Sequence, residues 1–230
     1  MQYFGGKAKV AKYIVPFLES QRKEGQKYLE TFVGGANIVA KMGGQRYACD
    51  FNEYLIEMYK AVQQGYDLPN ELSEEDYQYI KNNKDENKAL TGFVGFGCSF
   101  AGKWFGGFAR NKIKHNYCQS SKNSLLKKMS TMQDVKFEWK DYKTLQPKGF
   151  LIYCDPPYAN TTKYTGTPDF DTEIFWDTMR KWSKDNDVYI SEYNAPDDFK
   201  SVLDMSTRTS IRDKTGNVIE TCEKLFTYKK

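Results

Sequence analysis

The 230-residue chain holds one histidine, His115, and five cysteines, Cys49, Cys98, Cys118, Cys154 and Cys222, odd in number and scattered. No pair of them has metal-ligand spacing, which argues against a zinc or iron–sulfur site, so no metal is expected. Nor do they suggest a disulfide framework; reduced thiols in a cytoplasmic setting are the natural reading. No apolar run approaches the ~20 residues of a membrane span, and the start, Met1-Gln2-Tyr3-Phe4-Gly5, lacks the charged and apolar regions of a signal peptide. A soluble chain without a membrane partner is therefore expected. The spacing G-x-G-x-x-G is missing too, which weakens any case for a dinucleotide.

One further absence is local. Between Lys103 and Ser130 there is no Asp or Glu but there are seven Lys and Arg, whereas the rest of the chain has 27 basic against 30 acidic residues (34 less seven, against all 30). The overall charge of +4 is too small to point to nucleic acid, but this stretch is a candidate surface for it.

What is present alternates between strand and helix. Tyr3-Phe4-Gly5-Gly6-Lys7 reads as a turn entering a helix near Lys7, a place suited to anions or carboxylates. Lys27 to Phe32 reads as a strand, Val33-Gly34-Gly35-Ala36-Asn37 as a tight turn, and Ile38 to Met42 as a helix. These form the front half of a nucleotide-binding βαβ unit, with glycines that let a ligand approach the backbone. Arg46 to Asp50 is a second strand ending in an acid. Asp50 suits ribose hydroxyls, or else caps the helix that follows.

From Gly65 to about Gln133 the alternation breaks down. After a capped helix at Ser73 comes Gly92 to Asn111, where glycines interleave with phenylalanines, Trp104, Lys103 and Arg110. Such a stretch suits either a local aromatic core or contact with bases and phosphates. The acid-free segment behind it favours DNA, and residues 65–133 are read as an inserted module. Residues 1–64 and 134–230 then make one catalytic domain, closing with a strand at 135–139, a helix from about Asp171 to Ser183 and a hairpin turning at Thr215-Gly216-Asn217.

Within that domain Leu151-Ile152-Tyr153-Cys154 is an apolar run that stops in Asp155-Pro156-Pro157-Tyr158. Two prolines cannot donate to a sheet ladder, so Asp155 stands at the carboxyl end of a strand, the edge where open α/β sheets bind ligands. A strand followed by a rigid turn would look the same; the combination with Lys7, Gly34 and Asp50 gives the site reading its weight.

In that combination, and in that order, the sequence resembles the Dam-type (D12 class) N6-adenine-specific DNA methyltransferases. Tyr3 to Lys7 is similar to the family's amino-terminal motif, Glu30 to Gly35 to its cofactor loop, and Asp50-Phe51-Asn52 to its acidic ribose motif. Asp155 to Tyr158 is similar to its catalytic tetrapeptide, and Gly107 to Asn111 to part of its target-recognition domain. Thr31 departs from the family's usual proline. The resemblance implies a Rossmann-like α/β methyltransferase fold with an inserted helical target-recognition module and a C-terminal antiparallel hairpin, in a bacterial cell or a phage-infected host. It implies S-adenosyl-L-methionine as cofactor, held by Tyr3, Lys7, Phe32, Gly34, Asp50 and Asp155, and double-stranded DNA as partner. Asp155, Pro156 and Tyr158 would be catalytic on N6 of a flipped adenine. Lys103, Arg110, Asn111, Lys112 and Lys114 would contact DNA. Other exocyclic-amino methyltransferases, on RNA adenine or cytosine N4, and an inactive DNA-binding relative are the alternatives.

Overall fold

The computed structural model describes residues 1–113, 115–157, 170–212 and 218–229, with backbone only at 206–212 and 218–221. Tyr158, Lys114, the polar stretch 159–169 and the turn at Thr215-Gly216-Asn217 lie outside the described residues. Seven strands, β1 (Lys27–Glu30), β2 (Arg46–Asp50), β3 (Lys136–Trp139), β4 (Phe150–Cys154), β5 (Asp187–Glu192), β6 (Phe199–Arg212) and β7 (Val218–Tyr228), form one sheet. Their order is β3-β2-β1-β4-β5-β7-β6. β1 to β5 run parallel, β7 lies antiparallel to β5, and β6 pairs antiparallel with β7 at the edge. This is a Rossmann-like α/β fold ending in an antiparallel hairpin. The order turns back between β1 and β4, and at such a switch point the strand ends leave a crevice.

Among the described residues six helices, α1 (Ala11–Gln21), α2 (Glu53–Gln63), α3 (Glu74–Asn82), α4 (Lys88–Gly97), α5 (Tyr117–Met129) and α6 (Thr172–Trp182), accompany the sheet. Alternation along β4 divides the core. Leu151 and Tyr153 join Ile14, Leu18, Ile56, Tyr59 and Phe93 on one face. Ile152 and Cys154 join Phe175, Trp176, Met179 and Trp182 of α6 on the other. Asn52, Ser73 and Asp171 each cap their helix by accepting from a backbone N–H, as their residue types favour.

Two elements differ from the sequence reading. The helix expected at Ile38 to Met42 is only a 3-10 turn over Val39–Lys41; Gly43 and Gly44 follow at once, so there is no length over which a helix nucleus can propagate. Conversely, Gly92 to Gly97, read as open glycine-rich backbone facing DNA, is wholly buried in α4. Glycines in a helix cost about 1 kcal/mol each relative to alanine, and here the cost is offset by close packing. A Cβ on Gly92 would stand 2.1 Å from the Tyr54 carbonyl oxygen of α2, and one on Gly95 2.3 Å from the Trp104 ring. The structural half of that glycine-aromatic stretch thus runs to Gly97, and Tyr77, Phe93, Phe96, Leu125 and Met129 share the first core with the strands.

Gly92→Val should therefore lower stability by about 3 kcal/mol or more. Gly43→Ala, whose Cβ would meet nothing nearer than 3.7 Å, should change it by under about 1 kcal/mol. Chemical denaturation of both variants checks this; equal losses would rule out the close approach of α2 and α4 as the reason for glycine.

Candidate active site at the switch point

Each ligand candidate sits at the carboxyl end of a strand or in the turn after it. β1 continues through Thr31, whose N–H donates to the Tyr153 carbonyl at 3.3 Å and whose hydroxyl meets Cys154 Sγ at 3.2 Å. A proline could not make the first bond, so the departure at Thr31 adds one more link between β1 and β4. The turn is then fixed from both sides: Gly34 N–H donates to Asp50 Oδ2 at 3.0 Å, and Tyr59 Oη donates to Gly34 O at 2.7 Å.

Gly34 and Gly35 permit a close approach, but of a protein ring. A Cβ on Gly34 would stand 2.9 Å from Tyr3 Cε1, and one on Gly35 2.9 Å from Tyr3 Cβ. Tyr3 in turn packs its ring, tilted by 34°, 4.7 Å from Phe96 of α4. The N-terminal motif therefore seals the glycine turn.

Asp50 accepts from Gly34 and, through Oδ1, from Asn52 N–H at 2.9 Å. The helix cap is Asn52, which leaves Asp50 a turn-holding acid at the strand end. Burial pushes its carboxyl upward while N–H groups of Asn52, Gly34 and Phe51 pull it back. Phe32 is half-buried against Tyr142 at 5.1 Å, Phe175 at 6.0 Å and Phe170 at 6.1 Å.

Asp155 follows β4 directly, and Pro156 after it is buried. Lys7 Nζ approaches Asp155 Oδ1 to 2.8 Å and Glu223 Oε1 of β7 to 3.5 Å, and donates to Gly5 O at 3.2 Å. Burial would strip the proton from this ammonium, but the two carboxylates outweigh it and Lys7 is held above its ordinary range. Glu30, also buried, accepts from Tyr28 Oη at 2.8 Å, and its carboxyl is pushed by burial from 4.5 up to about 8. Glu223 and Glu30 are members of the site that sequence reading passed over. Glu30 stood inside a quoted motif; Glu223 lies in a strand whose alternation carries no ligand signal.

The structure thus brings Tyr3, Lys7, Phe32, Gly34, Asp50, Asp155 and Pro156 to one edge of the sheet. The DNA candidates lie on the exposed surface. Lys103, Arg110, Asn111 and Lys112 are exposed, Arg110 paired with Glu74 at 2.8 Å and Asn111 bonded to Tyr117 Oη at 3.2 Å. Lys103 lies 4.6 Å over the Phe4 ring, and Phe4 N–H donates to Gly102 O, so this surface adjoins the N-terminal motif.

The residues fit a cationic methyl donor. The acids at the ends of β2 and β4 suit a sulfonium and an ammonium, and Asp50 keeps acceptor capacity beyond its N–H bonds. Among the described residues no three His, Cys, Asp or Glu stand together as a metal site, and no helix is long and apolar enough to cross a membrane.

Residues 3–93 match the family model of D12 class N6 adenine-specific DNA methyltransferases. The match supports methyl transfer and takes in Lys7, Gly34 and Asp50, ending before the strand that delivers Asp155. No curated protein matches the sequence. Among solved structures the chain is similar to one from Thermoplasma acidophilum, at 10% identity and a TM-score of 0.47 over 98% of this chain and 91% of that one. It is also similar to the rRNA methyltransferase AviRa from Streptomyces viridochromogenes, at 9% identity and a TM-score of 0.43 over 99% and 88%.

The Glu30 proton gives this site a pH signature. Folded, the carboxyl keeps its proton to about pH 8; unfolded, it loses it near 4.5, so stability falls as pH rises between those values. Lys128, pushed by burial from 10.5 down to about 8, acts in the window above, whereas the Met1 amino group, lowered by burial from 8.0 to about 5, opposes Glu30 within this one, so the Glu30 share is read as the difference between wild type and variant. Glu30→Gln should remove the Glu30 share of this dependence. Urea unfolding at about pH 5 and about pH 8 should show the wild type losing a few kcal/mol more than the variant; parallel losses would mean that Glu30 ionises normally.

Proposed function

We propose that the chain transfers a methyl group from S-adenosyl-L-methionine to N6 of adenine in double-stranded DNA. The observation that carries this reading is the Asp155-Pro156-Pro157 strand end at the switch point, with its carboxylate held at 2.8 Å by a buried lysine of the N-terminal motif. The family match over that motif and the glycine turn supports it.

Bound at the strand edge, S-adenosyl-L-methionine supplies a methyl group activated on a positively charged sulfur. Asp50 accepts from its ribose hydroxyls, while Phe32 and Tyr3 form the apolar walls beside the glycine turn. Lys7 offers a cation to its carboxylate or, as in the structure, to Asp155.

Adenine N6 is a poor nucleophile because its lone pair is delocalised into the ring. The Asp155 carboxylate and the Pro156 carbonyl accept its two hydrogens, which favours tetrahedral geometry and frees the lone pair. Asp155 also stabilises the positive charge that develops on the nitrogen. Alignment of the two reactants contributes on the order of 7 kcal/mol, so positioning outweighs proton removal.

The target base must leave the duplex to reach Asp155. Tyr158, outside the described residues, is assigned by the resemblance alone to stack on it, a contact worth roughly 1 to 3 kcal/mol. Lys103, Arg110 and Lys112, with Lys114 assigned by sequence alone, take phosphates. Asn111 and Arg110 are candidates to read bases. Phe100, exposed beside Lys103, offers a ring to the same partner.

Incubation with labelled S-adenosyl-L-methionine and duplex DNA should yield N6-methyladenine. Asp155→Ala should lower the rate at least about 100-fold while cofactor or DNA binding survives in part. Label in RNA, in protein or on cytosine, with none on DNA adenine, would overturn the reading.

A further inference from the structure

The glycine turn contains a residue that local physics disfavours. Ala36 is fully buried and has φ 51°, in the left-handed region that a Cβ penalises. Such a conformation persists only when its surroundings impose it. Val33 O takes the Ala36 N–H at 2.7 Å, and the two flanking residues are gripped by one side chain: Lys128 Nζ donates to Gly35 O and, at 2.8 Å, to Asn37 Oδ1.

Lys128 comes from the last turn of α5, far along the chain from the turn it holds. It is half-buried, and burial lowers its affinity for the proton; Glu30 restores part of it, while Lys41 and the Met1 amino group oppose. A buried ammonium is costly unless paired, and this one is spent on a carbonyl and an amide of the turn. The Asn37 side chain continues the contact, since a Cβ on Gly6 would stand 2.8 Å from Asn37 Nδ2. Thus α5, the turn and the N-terminal motif meet at one point.

We propose that Lys128 is a positioning residue for the methyl donor: it clamps the strained turn 34–37 from both sides of Ala36 and so holds the Gly34 N–H on Asp50 in binding geometry. This rests on the reading that Asp50, which the turn positions, holds S-adenosyl-L-methionine. It gives the segment 65–133 a part in cofactor binding, in addition to any part in binding DNA.

Calorimetry with S-adenosyl-L-methionine tests it. Lys128→Met, similar in length but without donors, should weaken cofactor binding about tenfold or more, with DNA affinity unchanged. Lys128→Arg, which keeps donors and charge, should recover most of the affinity. Ala36→Gly, which removes the left-handed penalty, should recover part of it in the Lys128→Met background; a lysine that only stabilised the fold would show no such rescue. Should Lys128→Met fail to fold, Lys128→Gln, with one donor group left, should show a smaller loss rescued in the same way. Unchanged cofactor affinity in Lys128→Met, or a loss that Ala36→Gly does not relieve, overturns this inference alone. A wild-type chain that binds no S-adenosyl-L-methionine overturns it together with the proposed function.

Discussion

The contact on which the site depends is the buried pair of Lys7 and Asp155. It joins the N-terminal motif to the end of β4, and through Glu223 it reaches β7 as well. A buried ion pair is a poor source of stability, because desolvating both charges consumes most of what their attraction returns. What it does supply is definition. Removing one partner strands the other, a loss of roughly 3 to 5 kcal/mol, so alternatives in which the motif detaches from the strand edge are strongly disfavoured. The pair also leaves Asp155 short of full exposure, with 17% of its side chain accessible. A carboxylate in that condition is ready to accept from an amino group without first shedding a full water shell.

Around this pair the charges are arranged with unequal weight. Lys7 meets Asp155 and Glu223, Glu30 feels both Asp155 and Lys128, and Asp50 stands at the next strand end on the Gly34 N–H. Burial and mutual repulsion hold Glu30 protonated near neutral pH, which spares the fold one further negative charge. The remaining excess of acid suits a ligand that brings positive charge, and the methyl donor proposed for the site is such a ligand. The same excess explains why the glycine turn need not act as an anion cradle: Tyr3 closes it, and its N–H serves Asp50.

How much of this was legible in the chain follows from the range of each signal. Asp155, Gly34 and Asp50 were readable because a strand end is announced within a few residues, by apolar runs meeting breakers. The helix that follows Asp50 and the cap at Ser73 were equally local. Lys128 and Glu223 were not, since each acts on a turn or an ammonium far away in sequence, and only the closed sheet brings them there. The glycines of α4 misled for a related reason. Glycine reports that something comes close, and Tyr54 or Trp104 answers that description as well as a phosphate does.

The acid-free stretch shows the same limit in its charges. Lys122 is turned inward to Leu68 O at 2.5 Å and Asn70 Oδ1 at 2.8 Å, with Asp67 at its side, and Lys128 clamps the glycine turn. Those two lysines are structural cations supplied mainly with carbonyl and amide oxygens, so no neighbouring acid is required in sequence. Among the described residues Lys103, Arg110, Lys112 and Lys127 remain exposed. Arg110 is still available, because its pair with Glu74 is solvent-exposed and such pairs are worth under about 1 kcal/mol. A count of seven positive charges therefore overstates what this surface can offer to phosphates. The salt dependence of any DNA binding through it should follow the outward cations rather than the sequence total.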